Sequence, residues 1–332
     1  ISNIQVSYSG DDSYEMFGGS VNLKNIVAFR GWDDDFDTDN GYSGKIQFAV
    51  ALRDKDIADQ SGSNGFESDN DGSGTTATPY TKSIFSNVSI FGPMENSSTV
   101  INTQFKRAAH LRRNTQTCIY NSVIAGFPTG LFIDGSTTET NAAAGDLQFR
   151  NNIIAGCTTP LSASASFDIQ AWFDTPGYGN SILTNSTDIN CGYPFTLTSP
   201  SFVPQGTSPL LSGADFTNAN LQGFFTPVNY RGAFGTDNWT ACWCEFDPQN
   251  ADYSKKIDYV GTIGDITNTI NQGTVQFQTP ATGNGYSYEW NFGLVGSTTD
   301  VSSMPNPSFT YPSSGTYIVT LTITNQRGCK IV

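Results

Sequence analysis

One short phrase recurs through the first half of the chain: an Asn, a run of apolar residues, then a Gly five or six positions after the Asn. It reads Asn25-Ile26-Val27-Ala28-Phe29-Arg30-Gly31, Asn87-Val88-Ser89-Ile90-Phe91-Gly92, Asn121-Ser122-Val123-Ile124-Ala125-Gly126 and Asn152-Ile153-Ile154-Ala155-Gly156, the last with a second Asn at 151. The Asn positions lie 62 (87 − 25), 34 (121 − 87) and 30 (151 − 121) residues apart, so the first gap is about two of the shorter ones. Such runs are too short for helices and are bounded by turn residues, which is the pattern of a strand. Stacked coil on coil, they bury their inward positions in one continuous core, and a corner Asn can form an amide ladder with the Asn above and below. An ordinary β-sandwich has no reason to repeat one phrase at so long an interval. The chain is therefore expected to be all-β and to open with a right-handed parallel β-helix, one coil per roughly 30 residues.

The composition agrees. Of 332 residues 33 are Gly and only 14% are charged, which suits a turn-rich extracellular β protein better than a helical enzyme. No stretch approaches the roughly 20 apolar residues of a membrane span. A net charge of −14 argues against a nucleic-acid partner and suits divalent cations. Cysteines at 118, 157, 191, 242, 244 and 329 fall in no metal-ligand spacing. Cys118 and Cys157 lie in or beside the repeated phrases and are expected as buried thiols, while Cys191 with Cys242 or Cys244 is a disulfide candidate in an exported protein. Residues 1–10 already read as a coil strand ending in Gly10, so the solenoid is expected to begin inside a longer protein or after a cleaved piece.

Two acidic insertions interrupt the coils. Trp32-Asp33-Asp34-Asp35-Phe36-Asp37-Thr38-Asp39-Asn40-Gly41 directly follows the first phrase, and Glu67-Ser68-Asp69-Asn70-Asp71-Gly72 comes later. Oxygen ligands at alternating positions before a Gly suit a hard cation with six to eight oxygens. Asp33, Asp35, Asp37, Asp39, Glu67, Asp69 and Asp71 are thus candidate ligands of a structural calcium ion. Neither run completes an EF-hand, because Ile46 or Thr78 stands where the bidentate Glu belongs. The alternative is a solvated loop whose Asp and Asn residues cap turns. The single cationic cluster is Lys106-Arg107-Ala108-Ala109-His110-Leu111-Arg112-Arg113, which carries the single His. Such a strand can form a catalytic or anion-binding site, or can simply pair its Arg residues with the acidic insertions. Lys45 to Asp54 and Gly130 to Gly135 read as further strands.

From about 157 to 245 the phrase fades into irregular sequence with Trp239 and Trp243 close together. Large aromatics there are expected to cover the last coil, although paired Trp can also stack on sugar rings. Residues 246–265 read as a linker. Beyond it, 266–332 alternate as short strands at Val275–Gln278, Tyr286–Gly293 and Thr316–Asn325, the spacing of a small Ig-like sandwich.

Two resemblances follow. Trp290-Asn291-Phe292-Gly293, Pro307-Ser308-Phe309-Thr310-Tyr311, Gly315-Thr316-Tyr317 and Leu321-Thr322-Ile323-Thr324-Asn325 resemble a PKD domain, the immunoglobulin-like module named after polycystic kidney disease. Asn291 and Leu294 depart from the acidic residues usual there. Residues 1–245 resemble the parallel β-helix portion of bacterial surface proteins exported by the type IX route, through Ser9 to Gly19, Gly31 to Asp37, Gly65 to Asp71 and Tyr230 to Gly235. The resemblance implies secretion or display at the cell surface and carries over no catalytic motif.

The resulting expectation is a non-catalytic adhesin or assembly component, a rigid β-helix with a PKD spacer. Its expected partners are extracellular polysaccharide, other surface proteins or further copies of itself, since head-to-tail contacts and open edge strands build filaments. The alternative is a polysaccharide lyase or glycoside hydrolase, with His110, Arg107, Arg112 and Asp35 as its catalytic candidates and Lys106, Arg113, Asp33 and Asp37 near them. A cleft that brings a basic residue and carboxylates together on one face would favour that alternative.

Overall fold

The recurring phrase forms strands because its β-branched and aromatic residues alternate between two faces that both become buried. The computed structural model describes residues 1–164, 167–241, 243–251, 266–279, 285–325 and 329–331. The chain divides into two units, Ile1–Trp239 with Cys244–Pro248 and Thr240–Trp243 with Gln249–Val332. In the first unit strands come in pairs, one pair to each coil: β1 (Ser2–Ser7) with β2 (Tyr14–Phe17), β3 (Leu23–Phe29) with β4 (Phe36–Asp39), β5 (Lys45–Leu52) with β6 (Phe66–Ser68), and β7 (Ile84–Phe91) with β8 (Arg107–Leu111). The next coils split their first strand, giving β9 (Cys118–Tyr120), β10 (Val123–Ala125) and β11 (Thr129–Ile133), then helix α1 (Ser136–Ala144), then β12 (Phe149–Arg150), β13 (Ile153–Ala155) and β14 (Thr159–Ala163). Helix α2 (Ile169–Phe173) and β15 (Ser181–Leu183) follow. First strands assemble in the order β1-β3-β5-β7-β10-β13-β15, with β9 and β12 alongside; second strands assemble as β14-β11-β8-β6-β4-β2. We refer to these as sheets A and B. Every pairing within them is parallel.

Register stacks like on like. The inward column of sheet A is Val6, Ala28, Ala51, Ile90, Ile124 and Ile154. That of sheet B is Tyr14, Phe36, Phe66, Ala109, Leu131 and Leu161. Phe36 packs its ring 5.7 Å from Tyr14 and 5.6 Å from Phe66. The long first gap in the repeat holds two coils, and the residue at the phrase's Asn position in the intervening coil is Phe48. Asn25, Phe48, Asn87, Asn121 and Asn151 all take left-handed backbone, with φ of 55°, 57°, 56°, 50° and 57°. Asn tolerates that conformation, which explains the phrase; Phe does not, which hides one coil from the eye.

The expected ladder among these Asn residues does not form, because the left-handed bend turns their amides out of the coil. A ladder does form one residue further on in the last coils. There the Ser122 N–H donates to Asn152 Oδ1 at 2.8 Å, and the Asn152 N–H donates to Asn180 Oδ1 at 3.0 Å.

The outward amides bind the chain itself. After the antiparallel pair β16 (Cys191–Tyr193) and β17 (Ser201–Pro204), residues 209–239 and 244–246 lie along the outer face of sheet A. Asn121 accepts the Asp215 N–H at 2.8 Å and donates to the Asp215 carbonyl at 3.1 Å. Gln47 does the same with Thr226, at 2.8 Å in each direction, and Gln5 with Glu245, at 2.8 and 2.7 Å. Each amide thus replaces both hydrogen bonds that a neighbouring strand would make, so an irregular segment satisfies its backbone without joining the sheet. Phe91 stacks on Phe202, and Phe29 packs on Phe246. The aromatic-rich segment therefore covers the flank of sheet A, where the sequence reading placed it over the last coil. Val27, Phe29, Val50, Leu52 and Phe91 are sealed beneath it.

The second unit holds two antiparallel sheets. β18 (Thr267–Asn271), β19 (Thr274–Gln278), β20 (Ser287–Asn291), β21 (Val301–Ser302), β22 (Ser308–Thr310), β23 (Thr320–Thr324) and β24 (Lys330–Ile331) pair as β18-β19-β22 and β21-β20-β23-β24. Trp290, fully buried, donates its indole N–H to the Met304 carbonyl at 2.9 Å and packs with Phe277 and Phe292. The last long strand starts at 320 rather than 316, since Tyr317 is taken up by stacking on Tyr311, ring centroids 4.1 Å apart.

The two short helices were not expected, although Glu139 in the first turn of α1 and Gly145 at its left-handed C-cap are ordinary helix signals. Cys118, Cys157, Cys191 and Cys244 are free, so a Cys191–Cys244 disulfide is not formed, and Cys329 is disulfide-bonded. Cys242, and 252–265 of the expected linker, lie outside the described residues.

Candidate functional site

Sheet A is covered, so the chemistry gathers on the outward face of sheet B. There the parallel register places Glu15, Asp37, Glu67, His110 and Phe132 in one column. Neighbours in such a column sit about 4.8 Å apart, close enough for carboxylates to repel strongly when dry. The turns entering β2 and β4 add Asp11, Asp12, Asp33 and Asp34. Carboxylate oxygens of Asp12, Glu15 and Asp37 lie within 4.8 Å of one another, as do those of Asp11, Asp12 and Asp33. Asp12 is shared by both groups.

These carboxyls are crowded together, and all but the exposed Asp11 and Glu15 are at least partly buried. Burial, then the nearby charges of Asp12, Glu67, Asp69 and Asp39, push Asp37 up to about 8. Burial raises Asp12 to about 7, against the hydrogen bond it accepts from the Asp34 N–H at 2.8 Å. Burial and then Glu67 push Asp34 well above the usual carboxylate range, and burial also raises Asp33 and Asp39. Ser61 donates to Asp33 Oδ2 at 2.8 Å, while the buried Asp33 Oδ1 has no hydrogen-bond partner. Oxygen-only donors on two adjoining sets of three suit a hard divalent cation, whose charge would offset this repulsion.

The remaining sequence-predicted ligands are placed differently. Asp35 points into the corner of the coil and pairs with Arg53 at 3.0 Å, both side chains fully buried. Its carboxyl rises to about 6 because burial outweighs the guanidinium. Glu67 and Asp69 pair with Arg112, whose Nε donates to Asp69 Oδ1 at 2.8 Å, and Arg113 reaches Asp69 at 2.7 Å. Asp71 is half-buried and accepts the N–H groups of Ser73 and Thr75, a turn cap. Asp39 lies at the end of β4, bonded to the Asn40 N–H.

Of the catalytic candidates, His110 is nearly buried, its Nε2 2.9 Å from Asp134 Oδ2 and its ring stacked on Phe132. Nδ1 lies 3.4 Å from Glu67 Oε1. Arg107 lies over the Phe132 ring at 5.0 Å and, among the described residues, makes no ion pair; burial lowers its pKa from the usual arginine value. His110, Arg107 and Arg112 share one face with Glu67, whereas Asp35 does not join them. Lys106 lies beside this group with its ammonium on the Thr103 carbonyl.

Sequence reasoning missed Asp11, Asp12 and Glu15 as site residues. A signal was present: Asp11-Asp12-Ser13-Tyr14-Glu15, Asp33-Asp34-Asp35-Phe36-Asp37 and Ser63-Asn64-Gly65-Phe66-Glu67 are three copies of one pattern, an aromatic followed by a carboxylate, and they stack in register.

Parallel sheets built from successive coils, with an acid-base face on one and a covering segment on the other, define a protein of the β-helix class. The Pectate-lyase like beta helix domain family matches residues 1–190, and the chain belongs to that family. Residues 267–330 match the PKD domain. Both domains are of kinds typical of extracellular proteins. No helix among the described residues is long and apolar enough to cross a membrane. No curated protein and no solved structure matches the chain significantly.

Proposed function

We propose that the chain is an exported surface protein that binds acidic polysaccharide through divalent cations held on the outward face of sheet B, without cleaving it. The carrying observation is the pair of carboxylate groups that meet at Asp12. Asp12, Glu15 and Asp37 would hold one cation, and Asp11 and Asp33 with Asp12 a second position; a bound calcium ion supplies positive charge to which sugar carboxylates attach. Arg112, Arg113 and His110 are engaged with Glu67, Asp69 and Asp134, so they shape the face more than they act on a ligand. The PKD domain serves as a spacer, and export by the type IX route belongs to the same proposal.

A second reading, cleavage of the same glycan, is favoured by Arg107, which lies unpaired among the described residues beside this carboxylate face. Calorimetric titration with calcium and then with polygalacturonate and alginate, with and without chelator, tests both. Binding that needs calcium and is lost in Asp12→Asn, with no new chain ends, is the expected result. Glycan binding unaffected by chelator would sink the cation reading. Unsaturated or reducing ends that vanish in Arg107→Ala would replace the binding reading by the enzymatic one.

A further inference from the structure

A cavity of about 390 Å³ lies over sheet A, walled by Lys24, Asn25 and Phe48 from the sheet and by Thr226, Tyr230, Gly235, Thr236, Asp237 and Trp239 from the covering segment. Its volume falls within the roughly 300–1,000 Å³ of small-molecule sites. None of its residues belongs to the carboxylate face of sheet B.

Three independent features meet here. The column of left-handed Asn residues departs from its rule at Phe48, a bulky aromatic held at φ 57°. Such a residue is a true outlier, and strain of this kind concentrates at binding sites. The outward amides of Asn87, Asn121 and Asn151 each hold the covering segment, through Tyr230, Asp215 and Gly213, whereas Asn25 makes no such bond among the described residues and lines the cavity. The covering segment itself is shaped around aromatic walls. Trp239 stacks on Phe234, centroids 4.9 Å apart, and ties its indole N–H to the Ala233 carbonyl at 2.7 Å. Tyr230 lies 6.4 Å from Phe48, and Gly235 runs so close to the Tyr230 ring that an added Cβ would sit 2.6 Å from it.

We propose that this cavity binds one neutral pyranose ring, the terminal sugar of a glycan. A pyranose presents an apolar C–H face that packs on aromatic rings and a rim of hydroxyls that need both donors and acceptors. Phe48, Tyr230 and Trp239 supply the first. The Asn25 amide, the Lys24 ammonium, the Asp237 carboxylate and the Thr236 hydroxyl supply the second. One cation and one anion leave no net charge to favour an ionic ligand. The site is independent of the cation face, so it goes beyond the function proposed above.

The test titrates the full chain with methyl glycosides of glucose, galactose and mannose, reading tryptophan fluorescence and saturation-transfer NMR of the glycoside. At least one glycoside is expected to saturate at about 1 mM, the scale for a ligand of this size. Asn25→Gly keeps the left-handed backbone and deletes the amide, and is expected to weaken binding about 5- to 10-fold. Phe48→Asn restores the residue that the column otherwise uses; it is expected to weaken binding about 10-fold or more while the unfolding midpoint stays level or rises, which a merely structural role for Phe48 would not produce. Chelator is expected to leave the binding unchanged. The proposal is overturned if no glycoside saturates, if both variants bind like the parent, or if chelator abolishes the binding and so assigns it to sheet B.

Discussion

Asp37 stands in the sheet B column between Glu15 and Glu67, with Asp12 beside it, and its carboxyl is pushed up to about 8. In the unfolded chain an Asp titrates near 3.9. Between about pH 4 and pH 8 the folded state therefore keeps a proton that the unfolded state has lost, and stability falls as the pH rises through that window. A shift of about four units corresponds to at most about 6 kcal/mol, and solvent screening of this partly exposed carboxylate reduces the effect to about 2 kcal/mol. Asp37→Asn removes the titration. In chelator at pH 8 the variant is expected to unfold about 4–8 °C above the parent, and at pH 4 the two are expected to coincide. Calcium is expected to raise the parent's midpoint at pH 8 and to do little for the variant. Scanning calorimetry across pH, with calcium and with chelator, reads all three effects. A parent midpoint that stays flat from pH 5 to 8 in chelator, or a variant no more stable than the parent at pH 8, would refute the reasoning.

Other positions make sharper structural demands. Asp35→Ala strands the fully buried Arg53 guanidinium and is expected to cost about 3–5 kcal/mol in urea unfolding. Asn121→Ala removes both bonds to the Asp215 peptide and places a Cβ-bearing residue without a helpful side chain at φ 50°, for a loss of about 2–3 kcal/mol; Asn121→Gly should cost about 1 kcal/mol less, because glycine accepts that backbone freely. Burial pushes the Cys118 and Cys157 thiols up to about 11 and Cys191 to about 12, so iodoacetamide at pH 8 should label them about 100-fold more slowly in the native than in the unfolded chain. Rapid labelling of the native protein would show that these thiols are not held in dry surroundings.

Much of the fold was legible because a solenoid writes its geometry into local sequence. The Asn-to-Gly phrase marks a left-handed bend, an inward apolar column and a closing turn, all within six or seven residues, and the strands at Leu23–Phe29, Ile84–Phe91, Val123–Ala125 and Ile153–Ala155 fall on it. The coil carrying Phe48 was harder to see because its residue contradicts the local rule. The site was legible only in kind. Runs of carboxylates announce a crowded acidic face, but whether an Asp faces solvent, a neighbour or the core depends on one residue of register. Asp35 and Asp37 are two positions apart; the corner of the coil turns the first into the interior with Arg53, and the strand presents the second outward beside Asp12 and Glu15.

What the sequence determined by itself was therefore whatever a few neighbouring residues can enforce: strands, left-handed corners, the alternation of the second unit, and the acidic character of the first coils. Tertiary structure alone decided three things. It set which carboxylates converge, because the partners of Asp12 lie up to 25 (37 − 12) residues along the chain and meet only through parallel stacking. It laid residues 209–239 and 244–246 against sheet A, because the recognition of one peptide group by one amide, as between Gln5 and Glu245, leaves no local trace in either segment. It also formed the cavity beside Phe48, whose walls come from stretches about 200 residues apart and carry no pattern until the covering segment folds back over the coils.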